Sequence, residues 1–204
     1  MAIKNIIFDV GNVLVDFRYK GYMEDLGFTK EQVDLIEEKV VLDPIWEQLD
    51  LGVMKLSEVY KIMKEKIPGH EDCIDKLFDD KNLVNLVRSY DYTADLLNEL
   101  KDKGYKLYIL SNYPDEWFDL HSKTQFSFIP YVDGMIVSGK VKMIKPDSSI
   151  YELLLNTYEL KASECMFFDD RVKNVEAALR LGIDAHVFTD VESCREAISN
   201  SKRD

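Results

Sequence analysis

The stretch NIIFDVGNVLVDF (residues 5–17) holds the reading of the whole chain. An apolar run ends on a carboxylate, Asp9. A Gly11-Asn12 pair follows, and then a second apolar run. Near-continuous apolar residues with little alternation predict a strand covered on both faces, as in a parallel sheet. A carboxylate at the end of such a strand raises a question of use, because ligands of open parallel sheets bind beyond the carboxyl ends of the strands.

Working outward, similar runs recur. After IKNIIFDV (3–10) come KLYILS (106–111), GMIVSG (134–139), CMFFDD (165–170) and AHVFTD (185–190). Helical patterns separate the later ones. Residues 94–103 place Leu96, Leu97 and Leu100 together before Gly104. In 148–159 the apolar face is Ile150, Leu153, Leu154 and Tyr158, with Ser149 and Glu152 as a capping box. Residues 172–181 align Val172, Val175, Ala178 and Leu179 before Gly182. Strand–helix alternation over 91–200 predicts an α/β fold with a doubly wound, Rossmann-like parallel sheet.

Residues 18 to 90 read differently, as helices without a strand. Thr29 and Gln32 form a capping-box pattern, and an amphipathic run at 57–67 stops at Pro68-Gly69. DCIDKLF and NLVNLVRSY read as further helices, and the last residues, SNSKRD, as a frayed end. The expected organisation is thus a core of 1–17 and 91–204 interrupted by a helical insert at 18–90.

Composition narrows the partners. Among 204 residues, 46% are hydrophobic and 31% charged, which suits a packed globular chain. A formal net charge of −12 argues against nucleic acid and anionic membranes, although a cation can bridge such a chain to a phosphate ester. No apolar run reaches membrane-spanning length and no signal-peptide pattern is present. Cys73, Cys165 and Cys194 are too scattered for a disulfide framework or zinc site, so free thiols and a cytoplasmic location are expected.

The strand ends deliver Asp9, Ser111-Asn112 and Asp169-Asp170 to one edge, and Lys145 lies before the helix at 148. Each has an ordinary structural use alone: a helix cap for the aspartates, a turn for Ser111-Asn112, a solvated amine for Lys145. Their convergence is what points to chemistry.

In order and spacing, IIFDVGNVLV, YILSN, KP and FFDD followed by Asn174 resemble the motifs of the haloacid dehalogenase superfamily. The insert is similar to its helical cap, and the phrases FDVGNVLVDF and WEQLDLGVMKLSEVY resemble its sugar-1-phosphate (glucose-1-phosphate) phosphatase branch. The resemblance implies a Mg²⁺-dependent phosphatase acting on a small phosphorylated metabolite such as a sugar phosphate. In it Asp9 would be the nucleophile, forming an aspartyl phosphate. Asp9, the Gly11 carbonyl and Asp170 would hold the metal, with Asp169 and Asn174 behind them. Ser111, Asn112 and Lys145 would bind the phosphoryl group, and Lys145 would also neutralise developing charge.

Gly11 departs from the pattern. Many superfamily phosphatases carry a second aspartate there, which protonates the leaving oxygen. Three readings stay open: a better leaving group, a substitute such as Asp16, Asp43, Glu47 or His70, or a chain that binds without turnover. A haloacid dehalogenase and a phosphomutase are the other activities of this fold. The Asp169-Asp170 pair disfavours the first, and the missing acid–base group disfavours the second. Tyr22, Trp46 and Tyr60 are candidates for a pocket wall or for core, and the insert's acidic residues for a solvated face.

Overall fold

A computed structural model describes residues 2–201. The strands are β1 (Asn5–Phe8), β2 (Val15–Phe17), β3 (Val87–Ser89), β4 (Lys106–Ser111), β5 (Gly134–Val137), β6 (Cys165–Asp169) and β7 (Asp184–Val187). Five of them form one sheet in the order β5-β4-β1-β6-β7, every pair parallel.

Both faces of the sheet are buried, and the two-residue period of a strand divides its side chains between them. Ile6 and Phe8 of β1 point with Leu107, Ile109, Met166 and Phe168 into one apolar cluster. Ile7 points with Tyr108, Leu110, Cys165 and Phe167 into the other. Helices Thr93–Asp102 and Val191–Asn200 cover the first face through Leu96, Leu97, Leu100 and Ile198. Helices Ser148–Thr157 and Val172–Arg180 cover the second through Ile150, Tyr151, Leu154 and Val175. Each fully buried side chain of this kind contributes about 1.5–3 kcal/mol. The chain winds outward from β1 through β4 to β5, then returns to β6 on the other side of β1. The order therefore reverses at β1, and the crevice of a doubly wound sheet opens at its carboxyl end.

Between β2 and β3 the chain is helical, from Tyr19–Asp25 through Lys30–Ile36, a π turn at Glu37–Val41, Ile45–Leu51, Leu56–Lys66 and Glu71–Leu77 to Asp80–Leu83. The expected capping box is present: Thr29 Oγ1 accepts from the Gln32 amide at 3.3 Å, and the Thr29 amide donates to Gln32 Oε1 at 2.9 Å.

Four local expectations need correction. NLVNLVRSY is not one helix, because Val87–Ser89 pair antiparallel with Val15–Phe17. Three residues are too few for periodicity to reveal, and the long-range pairing overrides local propensity. The helix at 148 is capped by Asp147, whose side chain accepts from the Ser149 amide at 2.8 Å, not by Ser149 itself. In Val172–Arg180 the inward residues are Asn174, Val175, Ala177 and Ala178, while Val172 and Leu179 are more than half exposed. The frayed end expected at 199–204 is helical through Asn200, and 202–204 lie outside the described residues. The three cysteines are free and buried. Among the described residues no helix is long and apolar enough to cross a membrane.

Candidate active site

The carboxyl ends of β1, β4 and β6 meet around one ammonium group. Lys145 Nζ lies 3.0 Å from Asp9 Oδ1 and 2.6 Å from Asp169 Oδ2, and it donates to the Leu110 carbonyl at 2.7 Å. Its side chain has no exposure. Burial works against its charge, but the Asp169 and Asp9 carboxylates outweigh this and hold its pKa above the usual lysine value. Asn112 fixes the backbone that carries it: its side-chain oxygen accepts from the Lys145 amide at 2.8 Å, and its Nδ2 donates to the Lys145 carbonyl at 3.0 Å. The side chain proposed to contact substrate thus orients the lysine.

Asp169 is fully buried and its oxygens are engaged. Oδ1 accepts from the Arg171 amide at 2.8 Å and from Asn174 Nδ2 at 2.9 Å, and Oδ2 accepts from Asn174 Nδ2 at 3.0 Å and from Lys145. These bonds draw Asn174 inward and set the buried face of its helix. Asp9, Asp169 and Asp170 each have an oxygen within 4.8 Å of one another, the spacing of a cation site. With Asp169 saturated by donors, Asp9 and Asp170 are the two carboxylates with capacity left. Burial pushes the Asp9 carboxyl up to about 6; Lys145 pulls it down, and Asp169 and Asp170 push it further up. A cation beside Asp9 would reverse that electrostatic strain.

Asp170 is held by Asn12, whose Nδ2 donates to Oδ2 at 3.0 Å. Asn12 adopts a left-handed φ of 55°, a conformation asparagine tolerates, and its Oδ1 accepts from the Phe17 amide at 3.3 Å. Ser111 ends β4, and its Oγ is buried with no hydrogen-bond partner among the described residues. A buried hydroxyl left unpaired is costly unless a ligand supplies the partner.

A cavity opens over this cluster. Asp9, Gly11, Asn112, Lys145, Asp170 and Asn174 line its polar side, whereas Asp169 and Ser111 sit beneath it. Phe17, Trp46, Leu86, Tyr113 and Trp117 form an apolar wall opposite. Trp46 and Trp117 meet edge to face with centroids 5.8 Å apart. Of the other insert aromatics, Tyr60 accepts from Trp117 Nε1 at 3.0 Å behind that wall, and Tyr22 is core, its hydroxyl donating to the Leu77 carbonyl.

None of the expected acid–base substitutes lines the cavity. Asp16 sits in the β2–β3 ribbon, Asp43 pairs with Lys66 at 2.8 Å, Glu47 lies along its helix, and His70 precedes the helix at Glu71. Two charged lining residues escaped the sequence reading, Asp50 and Arg171. Asp50 contradicts the solvated face expected for the insert's acids: it is buried, and burial pushes its carboxyl up to about 7. Its one local signal is Gly52, two residues on, which ends the helix at φ +64°.

Comparisons with known proteins agree with this geometry. The haloacid dehalogenase-like hydrolase family matches residues 3–182. The chain is 28% identical over 196 residues to a sesquiterpene phosphatase of Aspergillus oryzae, covering 95% of this chain and 94% of that protein. It is 25% identical over 195 residues to the D-ribitol-5-phosphate phosphatase of Bacteroides thetaiotaomicron, covering 89% and 90%. A haloacid dehalogenase family enzyme from the same bacterium, solved with magnesium and inorganic phosphate, has a TM-score of 0.73 at 26% identity, covering 95% and 99%. With a matching family model, matching relatives over nearly the whole chain and this fold, the chain belongs to the haloacid dehalogenase-like hydrolases.

Proposed function

We propose that the chain is a Mg²⁺-dependent phosphatase of small phosphomonoesters, such as a sugar phosphate, working through an aspartyl phosphate on Asp9. The observation that carries the reading is the buried Lys145 ammonium between Asp9 and Asp169, with Asp170 beside them at a cavity floor. The phosphatase names of relatives that span the chain support it.

Asp9 would attack phosphorus through a carboxylate oxygen, and the ester oxygen would leave from the opposite side. Lys145 keeps the nucleophile ionised and offsets charge on the transferring group, and Asp169, held by Asn174, fixes where that ammonium sits. Asp9, Asp170 and the Gly11 carbonyl would hold Mg²⁺, which would supply positive charge between two anions. The orphaned Ser111 hydroxyl suits a phosphoryl oxygen, and the aromatic wall would face the organic part of the ester. Residues 18–90 would act as the cap that closes over it, with the β2–β3 ribbon joining its two ends to the core.

Incubation with phosphorylated metabolites and p-nitrophenyl phosphate tests the reading. Phosphate release that requires Mg²⁺ and disappears in Asp9→Asn is expected. Release that survives that substitution, or no release from any ester, would contradict it.

A further inference from the structure

Gly11 leaves the chemistry one proton donor short, and the cavity wall opposite offers one. A Cβ built on Gly11 would meet nothing within 4 Å, so the space above it is open to a group from elsewhere. The carboxyl groups lining the cavity belong to Asp9, Asp170 and Asp50. The first two face each other across the candidate cation site. Asp50 comes from the other wall, near the end of helix Ile45–Leu51.

Its placement is built. The Asp50 carbonyl accepts from Ser138 Oγ at 2.5 Å, and the same Oγ accepts from the Tyr113 amide at 2.8 Å, beside Asn112. Gly52 presses on the core: a Cβ there would lie 2.9 Å from the Gly139 carbonyl oxygen and 2.8 Å from Lys142 Nζ. The backbone from the Asp50 carbonyl to Gly52 is therefore clamped to the sheet edge. Asp50 as a residue is only 8% exposed, yet its carboxyl enters no hydrogen bond or ion pair among the described residues. Arg171 and Lys145 act on it to favour ionisation, Asp9 and Glu47 to oppose it, and Tyr113 lies near it. Other polar groups of that wall are occupied: Tyr113 Oη bonds His121 Nδ1 at 2.7 Å, and Trp117 Nε1 donates to Tyr60.

We propose that Asp50 is the general acid–base group of the reaction, taking the place of the carboxylate absent at Gly11. This rests on the phosphatase reading above. As the bond from Asp9 to phosphorus forms and the ester P–O bond breaks, the Asp50 carboxyl gives its proton to the departing oxygen, releasing the alcohol. In the second step water attacks phosphorus and the Asp9–phosphorus bond breaks. Asp50 takes the water's proton and regains its starting state. A carboxyl pushed up to about 7 by burial carries the proton in the first step near neutral pH.

The test compares an alkyl phosphate, whose alkoxide must be protonated, with p-nitrophenyl phosphate, whose phenolate leaves unaided. With Mg²⁺ present, Asp50→Asn is expected to lose about 10²–10⁴-fold on the alkyl ester. On the aryl ester it should give a burst of one equivalent of p-nitrophenol and then slow turnover, because only phosphoenzyme hydrolysis needs the base. The burst also reports a folded site. Asp50→Glu, which keeps a carboxyl, should recover part of the alkyl activity. Loss of the p-nitrophenol burst in Asp50→Asn, alkyl turnover at the wild-type rate, or a Glu variant as impaired as Asn overturns the role. Wild-type protein inactive on both esters overturns the phosphatase reading, and Asp50's role with it.

Discussion

Lys145 and Asp169 form an ion pair at 2.6 Å in which neither side chain has any exposure. The lysine also contacts Asp9 and the Leu110 carbonyl, which makes it the cation shared by three strand ends. Removing one partner of a buried pair typically costs about 3–5 kcal/mol, because the other charge is left unpaired. Lys145→Ala leaves two carboxylates buried together. Its urea-denaturation midpoint is expected to fall by a corresponding amount, and phosphate release by about 10²–10³-fold. A variant of wild-type stability would show that the pair is not what holds the site.

Ser111 should separate stability from binding. Its Oγ is buried without a partner, so Ser111→Ala removes a desolvation penalty of about 1 kcal/mol in the ligand-free protein. The variant should unfold at slightly higher urea while binding inorganic phosphate about tenfold more weakly, read from the fluorescence of Trp46 and Trp117.

The raised carboxyls give a signed pH dependence. Asp9 and Asp50 shift from 3.8 to about 6 and about 7. Between those values the folded chain holds protons that the unfolded chain has released. Their contribution to stability is therefore full below pH 3.8 and is lost as pH rises through about 6 to 7. Without metal, Asp9→Asn should be more stable than wild type at pH 8 and lose that advantage at pH 4, by on the order of a few kcal/mol. Mg²⁺ should restore wild-type stability at pH 8 by binding only the folded form. Identical urea midpoints of the two proteins at both pH values would contradict the shift.

Gly52 offers a test away from the chemistry. Its φ of +64° and its contact with Gly139 leave no room for a side chain. Gly52→Ala should cost about 1–2 kcal/mol and displace the segment carrying Asp50. Turnover of alkyl phosphates should then fall more than the p-nitrophenol burst, measured side by side.

The sequence made the floor of the site legible. Asp9, Asp169 and Asp170 stand at or just past buried strand ends, and a parallel sheet sends those ends to one edge. The opposite wall was not legible, because it depends on long-range contacts. Asp50 sits in a run of charged and apolar residues that reads as a solvated helix. The docking of Gly52 on Gly139 and the Ser138–Asp50 bond hold its backbone against the core. Asn174 shows the same limit. Its two bonds to Asp169 turn its helix so that Val172 and Leu179, apolar by periodicity, face outward. The ribbon strand at Val87–Ser89 exists only through its pairing with Val15–Phe17.

The most direct measurement is rapid acid quench of the protein with a ³²P-labelled phosphomonoester and Mg²⁺, followed by peptide mapping. Hydroxylamine-labile label on the peptide containing Asp9, absent from Asp9→Asn, is the expected result. Phosphate release with no label on that peptide, or with label on another residue, would contradict an aspartyl phosphate at Asp9.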